Sequence, residues 1–263
     1  MWFAECGNTN SRQNMATPAH RTTAPTFMQK NRIRAISFDL DDTLWPFRPC
    51  LIRAEAALLS WLRTHAPGTR ELLAEPAALM TYRAKAHADF PALRTDLSAL
   101  RLASIRTLLE AGQEDPTLAQ QAFDVFFEQR QRVELYPEVL EALTQLSQRL
   151  PLVALSNGNA CVHKAGIGQF FKGALSAATL GIAKPQAEAF HAAAALAGVQ
   201  PAELLHVGDD WHLDVIGAVG AGAQAAWVVR EEEAVTADEQ AGTLHTKVGD
   251  LAHLCEVLAH ERG

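Results

Sequence analysis

Four short apolar runs punctuate the chain, and each stops abruptly at a polar residue or turn. They are Ile33 to Phe38 before Asp39, Leu152 to Leu155 before Ser156, Leu204 to Val207 before Gly208-Asp209, and Ala225 to Val229 before Arg230. Runs that are apolar at nearly every position, rather than at alternate ones, fit strands covered on both faces, as in a parallel sheet. Between them the period changes. Val139, Leu140, Leu143 and Leu146 recur at helical spacing behind Pro137, and Ala189 to Ala197 is rich in the strongest helix former. Strand and helix in alternation predict an α/β fold with a doubly wound, Rossmann-like parallel sheet.

One interval is too long for that pattern. Asp39 and Ser156 are 117 positions apart, whereas a strand, crossover and strand need only about 30 residues. The surplus repeats apolar residues at helical spacing (Leu58, Leu59, Leu62; Leu97, Leu100, Ile105, Leu108, Leu109; Phe123, Phe126, Phe127) and contains no convincing strand. Residues 47–133 are therefore expected to form an all-helical cap inserted over the carboxyl edge of the sheet, with 32–46 and 134–263 as the core domain. Residues 1–31, rich in Asn, Thr, Ser, Gln and Pro without a hydrophobic period, are expected to be a mobile tail, in which Met15 and Met28 leave open a later start.

Composition narrows the possible partners. With 263 residues, 48% hydrophobic and 20% charged, the chain can bury a full core. A net charge of −7 with scattered Lys and Arg argues against nucleic acid. No run approaches the roughly 20 apolar residues of a bilayer span, and the N-terminus lacks a signal-peptide core, so no membrane partner and a cytoplasmic location are expected. Cys6, Cys50, Cys161 and Cys255 are far apart and form no CxxC pair, and the ten histidines show no HExxH spacing. They read as incidental thiols and ordinary imidazoles.

Ligands of an open parallel sheet sit beyond the carboxyl ends of its strands, so the strand ends are compared as a set. They carry Asp39-Leu40-Asp41-Asp42-Thr43, Ser156-Asn157-Gly158-Asn159, and Gly208-Asp209-Asp210 with Asp214, while Lys184-Pro185 opens a helix between them. Clustered carboxylates repel unless a cation compensates, and oxygen ligation suits Mg²⁺, for which Asp39 and Asp209 supply oxygens. A Ser156 hydroxyl, free backbone amides at Asn157 and Gly158, and the Lys184 ammonium complete a site for a phosphoryl dianion. Alternate residues of an extended turn place Asp39 and Asp41 near one another, one to attack phosphorus and the other to handle the leaving group's proton. Singly, each has a plainer reading: Asp42 or Asp210 as a turn or helix cap, Lys184 as a solvated lysine. Four such segments converging on one sheet edge outweigh it.

On these residues the chain resembles the haloacid dehalogenase superfamily phosphohydrolases, whose four motifs occur here in order over roughly residues 33–230. The resemblance implies that Asp39 is the nucleophile forming an aspartyl-phosphate and Asp41 the general acid, then base. Asp39, the main-chain carbonyl of Asp41, and Asp209 would hold Mg²⁺. Ser156 and Lys184 would bind the phosphoryl oxygens, and Asp214 would orient Lys184 or the metal shell, with Thr43 and Asp210 supporting. Dehalogenases of the superfamily lack the second acid, so Asp41 favours phosphate ester hydrolysis. The insertion is similar to the family's first class of helical cap, which implies a small phosphorylated metabolite as substrate and a monomer or homodimer. Trp45, Phe47 and Arg48 follow the first motif closely enough to stack on a planar ring, to grip a second anion, or simply to seal the cap hinge. Asp96-Leu97-Ser98-Ala99-Leu100-Arg101 resembles a segment of capped phosphatases acting on flavin mononucleotide or the phosphorylated ribitylaminouracil precursor of riboflavin. Trp45, Arg48 and Arg101 are accordingly the candidate specificity residues. A sugar-phosphate mutase, or a phosphoglycolate, nucleotide or sugar phosphatase, would keep every motif. A phosphoaccepting receiver would carry its aspartate on a later strand, and a binding module would be expected to lack Asp39 or Asp41.

Overall fold

The computed structural model describes residues 28–75, 77–230 and 245–259. Six strands, β1 (Ala35–Phe38), β2 (Leu152–Ser156), β3 (Gly173–Ser176), β4 (Leu204–Gly208), β5 (Gln224–Val228) and β6 (His245–Val248), form one sheet in the order β3-β2-β1-β4-β5-β6. Every pairing is parallel. The chain steps outward from β1 to β3, then returns to start β4 on the other side of β1. That reversal opens a crevice at the carboxyl ends of β1 and β4.

The helices are α1 (Phe47–His65), α2 (Ala78–Asp89), α3 (Leu97–Ala111), α4 (Ala119–Arg130), α5 (Val139–Ser147), the short α6 (Ala177–Leu180), α7 (Ala187–Ala197), the short α8 (Gly217–Gly220) and α9 (Leu251–Ala259). β1, β2 and β4 are buried at every position, because α5 and α9 cover one face of the sheet and α7 and α8 the other. Ile36, Phe38, Leu152 and Ala154 pack with Leu143, Leu146, Leu251 and Leu254. Their neighbours Ala35, Val153 and Leu155 point the other way, against Phe190, Ala193 and Ala218. The inserted segment has an apolar cluster of its own, in which Ala54, Leu58 and Leu62 of α1 meet Ile105, Leu108 and Leu109 of α3 and Ala122 and Phe126 of α4. Among its described residues the insertion contains no strand.

The structure departs from expectation at the edges. β3 and β6 were not predicted, β1 begins at Ala35, and β5 ends before Val229. The expected tail extends too far, since Met28 is buried in the core and the Gln29 amide donates to Gln224 Oε1 at 2.6 Å. The expectation of mobility for residues 1–27, with Met15 and Cys6, lies outside the described residues. Cys50, Cys161 and Cys255 are free thiols. No helix among the described residues is long and apolar enough to cross a membrane.

Candidate active site

Asp39 is the residue at which β1 stops. Its amide donates to the Val207 carbonyl at 2.8 Å, which carries the β1–β4 ladder one step past the strand and fixes where the carboxylate emerges. Ser156 ends β2 and Asp209 follows β4, so three adjacent strands deliver three polar groups to one edge. Lys184 comes from the loop before α7 and is 4% exposed. Its Nζ lies 2.5 Å from Asp39 Oδ1 and 2.6 Å from Asp214 Oδ1. Asp214 sits beneath Gly208, where a Cβ would fall 2.2 Å from the Asp214 carboxyl carbon, so glycine is required for this close approach. The same carboxylate meets His206 Nε2 at 3.0 Å, and His206 Nδ1 lies 2.8 Å from Ser37 Oγ. Since Asp214 can only accept there, Nε2 carries the imidazole proton and Ser37 donates to Nδ1.

Electrostatically the site holds more negative charge than its lysine can answer. Asp39, Asp209 and Asp214 offer oxygens within 4.8 Å of one another. Burial tends to raise the Asp214 acid, but the Lys184 charge and the His206 hydrogen bond outweigh it and hold Asp214 well below the usual range. Burial likewise tends to lower Lys184, and the Asp39 and Asp214 carboxylates reverse that, raising it. Asp39 is the surplus acid. Burial pushes it well above the ordinary value, with the charges of Asp214 and Asp209 adding to the rise against the opposing pull of Lys184. Burial also pushes Asp209 up to about 6, although the Thr43 hydroxyl donates to its Oδ1 at 2.8 Å. A set of hard carboxylate oxygens with an uncompensated charge fits a divalent cation such as Mg²⁺ held by Asp39 and Asp209.

Asp41 stands beside this cluster with both oxygens engaged. Trp45 Nε1 donates to Oδ1 at 2.9 Å, and Arg130 Nη2 lies 2.7 Å from Oδ1 and 2.5 Å from Oδ2. A cavity of about 410 Å³ runs from Asp39, Asp41, Ser156 and Lys184 to the helical insertion, where Phe47, Arg83, His87, Arg101 and Phe126 contribute to its wall. The Arg101 guanidinium lies 4.3 Å from the centre of the Phe126 ring and shares the Glu55 carboxylate with Arg83.

Several expected roles change on this geometry. Trp45 is fully buried beneath Asp41 and does not line the cavity, and Arg48 is exposed and away from it. Of the three candidate specificity residues, Arg101 is the one in the wall. The Asn157 side chain, as distinct from the backbone amide expected to meet phosphate, is spent on the Lys184 backbone, donating to its carbonyl and accepting from its amide, both at 2.9 Å. The Gly158 amide is not free, because it donates to Ser156 Oγ at 2.9 Å. Asp210 caps the turn that follows it by accepting from His212 and Leu213, and Asp42 accepts from the Phe47 amide at the start of α1. Arg130 escaped the sequence reading because it sits in the charged run Glu128-Gln129-Arg130-Gln131-Arg132. The available signal was its spacing, four residues after Phe126 on the apolar stripe of α4.

The fold and this strand-end cluster define a hydrolase class, and comparison with known proteins agrees. The chain belongs to the haloacid dehalogenase-like hydrolases, whose family profile matches residues 33–222. It is 33% identical over 232 residues, 86% of this chain and 97% of the relative, to the Escherichia coli 5-amino-6-(5-phospho-D-ribitylamino)uracil phosphatase YigB. It is 34% identical to a Thermus thermophilus phosphoserine phosphatase over 152 residues, 56% of this chain and 60% of that one. A solved structure described as 2-haloacid dehalogenase from Pseudomonas syringae superposes with a TM-score of 0.79 at 35% identity, covering 86% of this chain and 98% of that one.

Proposed function

We propose that this hydrolase cleaves small phosphate monoesters, with Mg²⁺, through an aspartyl-phosphate on Asp39. The observation that carries the reading is the second carboxylate, Asp41, on the same cavity wall as Asp39, Ser156 and Lys184. A carbon–halogen substrate releases halide and needs no proton donor, whereas an alkyl phosphate releases an alkoxide that does. Lys184 holds Oδ1 of Asp39, leaving the other oxygen to attack phosphorus in line. The bond from phosphorus to the ester oxygen breaks as Asp41 protonates that oxygen. Water then attacks the phosphorylated Asp39 at phosphorus, Asp41 takes the water's proton, and inorganic phosphate leaves with the carboxylate restored. The Ser156 hydroxyl and Lys184 ammonium face the charge carried by the phosphoryl oxygens. When bound at Asp39, Asp209 and the Asp41 carbonyl, the metal ion supplies the positive charge that lets a dianion approach these acids.

Within this class, the ribitylaminouracil phosphate hydrolysed by the E. coli relative, with flavin mononucleotide, is the substrate reading with most support. Identity extends over nearly the whole relative, and Arg101 and Phe126 present a cation and a ring to the same cavity, suited to a planar heterocycle. The test is inorganic phosphate release from flavin mononucleotide, the ribitylaminouracil phosphate, sugar phosphates, phosphoglycolate, phosphoserine and nucleoside monophosphates, with and without Mg²⁺, alongside halide release from 2-haloacids. Metal-dependent phosphate release that disappears in Asp39→Asn is expected. Halide release without phosphate release would overturn the reaction class. Transfer to a second sugar phosphate without inorganic phosphate would indicate a mutase.

A further inference from the structure

Asp41 cannot protonate a leaving group while a guanidinium occupies both its oxygens, so the residue that holds it needs a role. Arg130 is the last residue of α4, where the cap returns to the core, and it is 2% exposed. Its guanidinium also lies 5.1 Å from the ring of Phe47, the first residue of α1, where the chain enters the cap. Its Nη1 is buried without a hydrogen-bond partner. This arginine is therefore held chiefly through Nη2, by Asp41.

The phosphate-binding hydroxyl is next to that contact. A Cβ at Gly158 would lie 2.7 Å from Asp41 Oδ2, 3.2 Å from Ser156 Oγ and 3.7 Å from Arg130 Nη2, so all three atoms surround one point. A phosphoryl dianion accepting from Ser156 therefore arrives within reach of Nη2. With two charges and three oxygens it competes well for a guanidinium that a single carboxylate holds.

We infer that Arg130 is a positioning residue that moves its Nη2 from Asp41 Oδ2 to a phosphoryl oxygen as the ester binds. The exchange frees Oδ2 to serve the leaving group, while Nη2 keeps its second hydrogen on Oδ1 beside Trp45 Nε1 and so holds the acid in line; without Arg130 that alignment is lost. Arg130 thus links arrival of a phosphomonoester, the cap helix α4 and readiness of the acid. This inference rests on the reading of Asp41 as acid and base, so that reading is measured first and by itself.

The experiment compares an alkyl phosphate with an aryl phosphate of good leaving ability in wild type, Asp41→Asn, Arg130→Ala, Arg130→Lys and the double variant Asp41→Asn/Arg130→Ala. Circular dichroism and thermal melting establish which variants are folded. If Asp41→Asn slows the alkyl ester no more than the aryl ester, the reading of Asp41 fails and the inference falls with it. Given that it holds, Arg130→Ala is expected to raise KM for both esters and to lower kcat roughly 100-fold for the alkyl ester but under tenfold for the aryl one. The alkyl-specific loss should vanish when Asp41 is already Asn, because the two residues act as a unit. Added guanidinium ion should restore part of the alkyl activity of Arg130→Ala. Should Arg130→Ala not fold, Arg130→Lys carries the test, since it keeps the charge but loses the fork, and should lose alkyl selectivity while retaining most of the aryl rate. Equal losses for both esters, or losses additive with Asp41→Asn, would reduce Arg130 to a structural part of the hinge and overturn the inference.

Discussion

The Asn157 side chain shows how one residue can shape a site through the backbone of another. Its amide grips both backbone groups of Lys184, and Lys184 has no other means of reaching between Asp39 and Asp214 than the path of that loop. Asn157→Ala should therefore leave the fold intact, with a loss of about 1–2 kcal/mol for the two hydrogen bonds. KM for phosphomonoesters should rise roughly tenfold as the ammonium loses its fixed position. Melting and steady-state kinetics check this, and unchanged KM would show that Asp39 and Asp214 suffice to hold Lys184. Gly208 makes the complementary case. Gly208→Ala pushes a methyl into the Asp214 carboxyl group at 2.2 Å, so it should both destabilise the protein and displace Lys184, a double effect that Gly220→Ala, where no neighbour lies within 4 Å, should not show.

At the scale of elements, strands covered on both faces announce themselves and edge strands do not. β1, β2 and β4 are fully buried, so burial demands apolar residues at nearly every position, Ser37 and His206 being tolerated because they pair with each other, and these three were legible with the acids and the serine that end them. β3 (Gly-Ala-Leu-Ser) and β6 (His-Thr-Lys-Val) lie at the two edges of the sheet and are half exposed. Their sequences carry no apolar run to read. The helical insertion was legible by length and period, yet its contribution to the site was not. Periodicity says which face of α4 is buried, not that the face ends in an arginine aimed at a carboxylate 89 positions away in the chain. Asp39, Ser156 and Asp209 were legible because strand ends share one edge, and Lys184 because it lies in a loop between two of those strands. Arg130 as a partner of Asp41 was not, because that contact depends on how the helical insertion packs against the core.

For the whole molecule, the charge balance of the site makes stability depend on pH and metal together. Burial raises Asp209 to about 6 in the folded protein, against 3.8 for the unreacted group. Between those values the folded state keeps a proton that the unfolded state has lost, so the stability of metal-free protein falls as pH rises from about 4 to about 6. Asp39, also raised, adds in the same direction. Metal binding requires both carboxylates ionised. The rise in Tm on adding Mg²⁺ should accordingly be small at pH 5 and grow through pH 6 to a plateau near neutrality, as calorimetry would show. A shift independent of pH over that range would mean that these carboxylates do not hold the ion.

The proposed hydrolysis passes a phosphoryl group through Asp39, and chemical trapping of that state examines it most directly. Wild-type protein mixed with Mg²⁺ and a phosphomonoester it hydrolyses, quenched in acid during turnover and reduced with borohydride, should yield homoserine at position 39 in the tryptic peptide from Ala35 to Arg53, identified by fragment mass spectrometry. Asp39→Asn should yield none. Turnover under these conditions with position 39 still aspartate, or with the phosphoryl group recovered on another residue, would contradict the account.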